Sequence, residues 1–222
     1  KPINFEVKKG EIVGVTGLDG NGQDDFVKIL AGVQEAHGGI TEILDNNENF
    51  VKYNSLDNAK NNGISFVSGD RKKEGILPNL SIYENLVVPL YKKTSRGGFL
   101  GFVDWMELNG IFDWEVDRLS IKTGPRDNLI GSLSGGNQQK VMIARSFAQH
   151  PKVLILNDPA RGIDVSTKRD LYTHLRNYVE EGNTVVFLSS ELEEFIGLCP
   201  KVMVFRNGTV FDIFENEKVN AD

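Results

Sequence analysis

The last third of the chain is the part that most restricts the fold. Three apolar runs, VLIL at 153–156, TVVFL at 184–188 and VMVF at 202–205, have the length and composition of buried strands. Between the first two lies VSTKRDLYTHLRNYVEEG (165–182), amphipathic at helical spacing and ending on Gly182, a helix-terminating residue. Between the second and third lies ELEEFIGLC (191–199), read as a short helix. A strand–helix–strand–helix–strand order implies parallel strands joined by crossovers, hence an α/β sheet core. KVMVFRNGTVFDIF (201–214) closes this region as a hairpin turned at Asn207–Gly208.

The earlier half is less regular. FEVKKGEIVGVTG (5–17) reads as two strands around a turn at Lys9–Gly10, and Asp24 to Ala31 as a helix with Phe26, Ile29 and Leu30 on its apolar face. GISFVSG (63–69) reads as another short strand. SIYENLVVPL (81–90) opens on a capping box, Ser81 with Glu84 three residues on. TSRGGFLG (94–101) reads as a loop and WMELNGIFDWEVDRL (105–119) as a helix. Gly135–Gly136 is expected to break the chain before a helix over Gln138 to His150.

With 222 residues, 40% hydrophobic and 25% charged, the chain is long enough to bury a full core. A net charge of −6 argues against a binder held to nucleic acid by general electrostatics. The lone cysteine, Cys199, excludes an intrachain disulfide and suits a reducing compartment; next to Pro200 and a strand it reads as structural. No apolar stretch approaches the ~18 residues of a membrane helix. The sequence begins without Met and runs almost at once into a strand, which reads as a piece of a longer polypeptide.

Three motifs carry chemistry. In GVTGLDGNGQDDF (14–26) the spacing of Gly17, Gly20 and Gly22 between a strand and a helix suits backbone amides aimed at phosphate. A glycine-rich turn without a ligand explains that spacing equally well. In LSGGNQQK (133–140) a Ser134 hydroxyl and the bare amides of Gly135 and Gly136 form a second anion cradle, against the simpler reading of a helix cap. In VLILND (153–158) polar residues Asn157 and Asp158 end a buried strand, where ligands of open α/β sheets bind; a plain polar strand end is the alternative.

In this order and spacing the three motifs resemble the ATP-binding domain of ABC transporters. LSGGNQQK is similar to the signature of simple-sugar (ribose/galactose-type) import ATPases, as are DPARGIDV (158–165) and LSSELEE (188–194). GDRKKEGI (69–76) resembles a stretch of the second, C-terminal cassette of fused two-cassette chains, and GNGQ (20–23) is similar to nucleoside importers of that subfamily. The resemblance implies a P-loop NTPase of ABC type: a mainly parallel sheet core, a small antiparallel β layer at the start and a helical subdomain near 79–147, all one domain over 1–222. It implies ATP and Mg²⁺ as cofactors, and nucleotide contacts from Gly17, Gly20, Asn21, Gly22, Gln23, Asp24, Ser134, Gly135, Gly136 and Gln138. Asp24 and Asn157 fall at the metal positions, Asp158 at the water-orienting acid, Ser190 at the switch histidine and Gly69 at the coupling glutamine.

Several positions depart from the family pattern. Gln23 replaces the phosphate-loop lysine, Asp24 the Mg²⁺-binding Ser or Thr, and Asn157 the strand aspartate. Asp19, Asp24 and Asp25 put like charges beside an anionic ligand, so the loop is expected to be poor while the signature is whole. Cassettes of this family pair head to tail, each nucleotide lying between one partner's loop and the other's signature. The implied function is therefore ATP-driven sugar uptake by a degenerate half that completes its partner's site. The implied partners are a first cassette or a second copy, membrane-spanning permease subunits and, indirectly, a solute-binding protein, at the cytoplasmic face of the membrane. Alternatives are a nucleoside importer cassette, a non-hydrolysing regulatory module, and a soluble ABC protein acting on nucleic acid or ribosomes. Tyr83, Leu86 and Val87 are expected to offer the membrane subunit an apolar face beside Gly69.

Overall fold

The computed structural model describes residues 3–45, 47–91, 95–96, 102–215 and 219. They fall into two compact units, one of residues 1–66, 151–159 and 172–222, the other of 67–150 and 160–171.

The first unit is built on a six-stranded sheet. Its strands are β1 (Ile12–Gly17), β4 (Ile64–Val67), β7 (Val153–Asn157), β8 (Thr184–Leu188), β9 (Lys201–Arg206) and β10 (Thr209–Glu215). β2 (Thr41–Leu44) and β3 (Phe50–Tyr53) form a separate antiparallel pair, and β5 (Ser95–Arg96) and β6 (Phe102–Val103) another in the second unit. The order β10-β9-β1-β8-β7-β4 puts β1 at the centre, parallel to both β8 and β9, with β8 parallel to β7. The turn expected at Asn207–Gly208 joins β9 to the antiparallel β10, both residues at positive φ, 52° and 72°. Every residue of β8 is buried, as a strand covered on both faces requires.

Helices α1 (Gln23–Leu30) and α2 (Leu56–Asn61) complete the first unit together with the second half of α6 (Val165–Glu180). Phe26 and Val27 of α1 enter a core with Val13, Val15, Ile155, Val186, Met203 and Phe205. The Phe26 ring lies between Phe5 and Phe205, centroids 5.2 and 5.0 Å away. The Tyr53 hydroxyl donates to Leu30 O at 2.8 Å, and burial pushes its pKa up to about 12.

Three sequence expectations need correction. The first of the two strands read in 5–17 is absent: Ile3, Phe5 and Val7 pack alternately on the core, so the period-2 pattern serves packing without a ladder. The segment 191–199 forms only a single 3₁₀ turn, Leu192–Phe195. The small antiparallel β layer that the resemblance implies is present as β2 and β3, in TEIL and FVKY on either side of the turn-rich DNNEN. The loop read at 94–101 lies largely outside the described residues, and Ser95–Arg96 within it is strand β5.

The second unit holds α3 (Ile82–Val87), α4 (Trp105–Arg118) and α5 (Gly135–Phe147). Its core includes Ile82, Leu86, Leu108, Phe112, Ile130, Met142, Ile143 and Phe147. The capping box is present: Ser81 Oγ accepts the Glu84 amide at 3.1 Å, and the Glu84 carboxylate accepts the Ser81 amide at 2.8 Å. Buried Asn85 ties down the preceding turn, donating to Leu77 O, Leu80 O and Ser81 O and accepting from the Leu77 amide. α5 starts three residues before the expected Gln138, because Ser134 caps it and Gly135–Gly136 form its first turn instead of a break.

Candidate functional site

The phosphate-type loop leaves the carboxyl end of central strand β1. Gly20 and Gly22 have φ of 79° and 92°. Gly22 caps α1 in the left-handed region, and a Cβ there would sit 3.1 Å from Gly208 Cα. The β9–β10 turn therefore braces the loop. Asn21 Oδ1 accepts the Asn207 amide at 2.8 Å, Asn21 O accepts the Gly208 amide at 3.0 Å, and Asn21 Nδ2 donates to Leu18 O at 2.9 Å.

Gln23 does not reach outward. Its side chain is buried and folds back, Nε2 donating to Gly17 O at 3.1 Å and Leu18 O at 3.0 Å. Its Oε1 is buried with no hydrogen-bond partner. Asp24 Oδ1 accepts from Asn157 Nδ2 at 2.7 Å, and Asp24 Oδ2 pairs with Lys28 Nζ at 3.3 Å. Asp24 and Asp25 lie in the first turn of α1, so carboxylates already face the positive end of the helix dipole.

Asn157 ends β7, and Asp158 follows at a φ of 48°, its amide donating to Leu188 O at the end of β8 at 2.8 Å. Ser190 Oγ lies 3.5 Å from Asp158 Oδ2, the outer limit of a hydrogen bond. Its neighbour Ser189 is buried and donates to Glu194 at 2.6 Å. Because β1, β8 and β7 are adjacent and parallel, their carboxyl ends bring Gly17–Asp24, Ser190 and Asn157–Asp158 to one edge.

The backbone of this loop suits a phosphate, while its side chains suit a magnesium nucleotide poorly. The orphaned atom at position 23 is an acceptor where an anion needs a donor. The pair at 24 and 157 already satisfies itself by a hydrogen bond, with Asp24 in addition paired to Lys28. Among the described residues no group of three or more His, Cys, Asp or Glu is placed to hold a metal ion.

The second unit carries the Ser134–Gly136 helix start. Ser134 is exposed and its Oγ accepts from Asn137, Nδ2 lying at 3.0 Å. The first intrahelical bond runs from the Gln138 amide to Ser134 O at 2.9 Å, so the amides of Gly135 and Gly136 precede it and point out of the helix end. The Gln138 side chain turns back on its own loop, donating to Leu133 O at 3.0 Å. Gly69 is half-buried at the entry to a single π turn, Arg71–Gly75.

The docking face expected from Tyr83, Leu86 and Val87 is overturned. Their exposures are 8%, 0% and 0%, because α3 is enclosed by α4 and α5. Tyr83 packs on Phe112 at 5.2 Å beneath Arg126, and only its edge lines a groove of about 560 Å³ with Tyr91 and Trp105. Cys199 is buried, and burial pushes its thiol pKa up, as suits a structural residue.

A parallel sheet that carries a glycine loop on its central strand, with a Ser-Gly-Gly helix start elsewhere in the chain, has the features of an ATP-binding cassette. The profile of the ABC transporter family matches residues 1–161, and the chain belongs to that family. It is 38% identical over 221 residues to the ribose import ATP-binding protein of Bacillus cereus, covering 99% of this chain and 43% of that protein. It is 34% identical over 220 residues to the galactose/methyl galactoside import ATP-binding protein of Mannheimia succiniciproducens, covering 99% and 42%. The chain thus spans about two fifths of the length of these relatives. The fold matches the dimeric post-hydrolysis structure of the ATP-binding cassette MJ0796 bound to ADP and Pi, with TM-score 0.81 at 23% identity over 97% of this chain and 89% of that one. A nucleotide-free cassette from an ABC transporter gives 0.78 at 18% identity, covering 98% and 85%. The fold is therefore the P-loop cassette that the motifs imply.

Proposed function

We propose that this chain is an energy-coupling ATPase cassette of a simple-sugar importer, a degenerate half whose signature completes the nucleotide site of a partner cassette. The observation that carries the reading is the contrast between its two cradles. Gln23 is turned onto the loop carbonyls of Gly17 and Leu18 and Asp24 is bonded to Asn157, whereas Ser134, Gly135 and Gly136 present an exposed hydroxyl and outward amides. Sugar is the preferred solute class because the relatives named above are ribose and galactose import proteins. The partner would be a cassette with an intact loop, and both would work at the cytoplasmic face of the membrane with permease subunits, Gly69 lying on the coupling loop. No described helix is long and apolar enough to cross a membrane.

Within this reading Ser134, Gly135 and Gly136 receive the terminal phosphate of the partner's ATP, and Asp158 is the water-orienting acid of the weak site. The test is steady-state ATPase activity of the full-length protein reconstituted with its membrane subunits. Ser134→Arg fills the working cradle and should lower the rate ~10²–10³-fold, the loss typical of a removed transition-state contact. Asp158→Asn alters only the weak site and should cost less than ~3-fold. Equal, severe losses would mean that both sites turn over. Loss in Asp158→Asn alone would reverse the assignment.

A further inference from the structure

The turn that follows Gly69 is fastened at both ends to the helix that carries Ser134–Gly136. Asp70 starts the turn: its carbonyl accepts the amides of Glu74 at 2.9 Å and Gly75 at 3.2 Å, and its carboxylate caps Lys73 at 3.1 Å. Ser68 closes it from inside, donating to Glu74 at 2.5 Å and accepting the Asp70 amide at 3.1 Å.

From this turn Arg71 Nη1 donates to Gly135 O at 3.1 Å. At the other end the Arg145 guanidinium, on α5, donates to Gly75 O. Gly75 lies against Met142 of the same helix, so closely that a Cβ there would fall 2.2 Å from Met142 Cε. Residues 135, 142 and 145 share one stripe of α5, spanning about 15 Å at 1.5 Å per residue. The turn is thus tied to α5 at both ends by guanidinium hydrogen bonds and by the Gly75–Met142 contact, which couples its movement to that of the helix.

The Arg71 contact has a second consequence. The carbonyl of Gly135 and the amide of Gly136 belong to one peptide group. A guanidinium hydrogen bond to that carbonyl draws electron density toward the oxygen and makes the Gly136 N–H a stronger donor. It also fixes the direction in which that N–H points.

We propose that Arg71 is a positioning residue that aims and polarises the Gly136 amide of the 134–136 cradle, and that carries movement of the Gly69 turn to that cradle through α5. The inference rests on the reading of Ser134–Gly136 as the working cradle of the partner's site.

The experiment uses the full-length transporter, reconstituted with its membrane subunits and solute-binding protein. ATPase kcat, KM for ATP and the ratio of solute-stimulated to basal rate are measured for wild type, Ser134→Arg, Arg71→Ala, Arg71→Gln and Arg71→Lys. Arg71→Ala should lower kcat roughly 10-fold, less than loss of a direct contact. KM should stay within 2-fold, and the stimulation ratio should fall toward one. Arg71→Gln retains a neutral donor and Arg71→Lys a cation, so each should recover part of kcat, which a purely structural role would not order in this way. If Arg71→Ala fails to assemble, Arg71→Gln and Arg71→Lys carry the test. Loss of kcat in Ser134→Arg beside unchanged kcat and stimulation in the Arg71 variants would overturn the Arg71 inference alone. Unchanged activity in Ser134→Arg would instead overturn the cradle reading on which it stands.

Discussion

Position 24 shows how a residue's partners decide its chemistry. A carboxylate beside a phosphate loop repels an anion, but Asp24 is held by Asn157 at 2.7 Å and by Lys28 at 3.3 Å, and it complements the dipole of its own helix. Gln23 strengthens the same outcome by turning its donor onto the loop carbonyls. Wild-type chain should therefore bind MgATP no tighter than high micromolar, roughly −5 to −6 kcal/mol. The triple change Gln23→Lys, Asp24→Thr, Asn157→Asp restores a cation, a hydroxyl and a strand carboxylate, and should tighten binding at least ~10-fold by calorimetry. Nanomolar binding by wild type, or no gain in the variant, would refute this account. The sequence disclosed the identities at 23, 24 and 157 and their departure from the family pattern. It could not disclose that 24 and 157 bond each other across 133 positions, or that Gln23 faces inward, because both depend on the packed ends of β1 and β7.

Among the elements, α4 holds the clearest latent pH dependence. Glu115 is 1% exposed, and burial pushes its pKa up to about 7, with Arg118 only partly opposing the shift. The Arg118 Nε lies 3.5 Å away, and its guanidinium covers the Phe147 ring at 4.1 Å. Between pH 4.5 and 7 the folded chain keeps a proton that the unfolded chain releases, so stability falls as pH rises across that window. The full penalty, present above pH 7, is about 3 kcal/mol. Glu115→Gln should remove that part of the slope, raising the urea midpoint at pH 8.5 more than at pH 6. Parallel wild-type and variant profiles would show that the carboxyl is not protonated in the fold. This burial was invisible in the sequence, where Glu115 sits between Trp114 and Val116 on an otherwise mixed helix. Elements with strong local chemistry were legible: the Asn207–Gly208 turn, the Ser81–Glu84 capping box and the apolar strands β7, β8 and β9. Those set by context were not. Residues 3–8 alternate like a strand yet make none, and the start of α5 depended on whether Ser134 would cap it.

At the scale of the whole molecule, the two cradles decide what two copies of this chain can do together. On the proposed reading, head-to-tail pairing of identical copies would place an impaired loop opposite a sound signature in both nucleotide sites. The ligand would then have little affinity to contribute to assembly, and ligand-driven association requires that it bind the assembled state more tightly than the separate ones. The chain also carries a net charge of −6, so two copies repel at low salt. The wild-type chain should remain monomeric at tens of micromolar in the presence of Mg²⁺ and a non-hydrolysable ATP analogue, by sedimentation velocity. The triple variant at 23, 24 and 157 should dimerise under the same conditions, because each copy then supplies both a competent loop and a sound signature. Adding Ser134→Arg to the triple variant should return it to monomer while leaving its nucleotide affinity within ~3-fold, since the loop alone holds nucleotide in a single copy. Nucleotide-driven dimerisation of wild type would show that the loop is not impaired. Dimerisation that survives Ser134→Arg would show that the signature does not close the partner's site, and the division of labour between the cradles would fall with it.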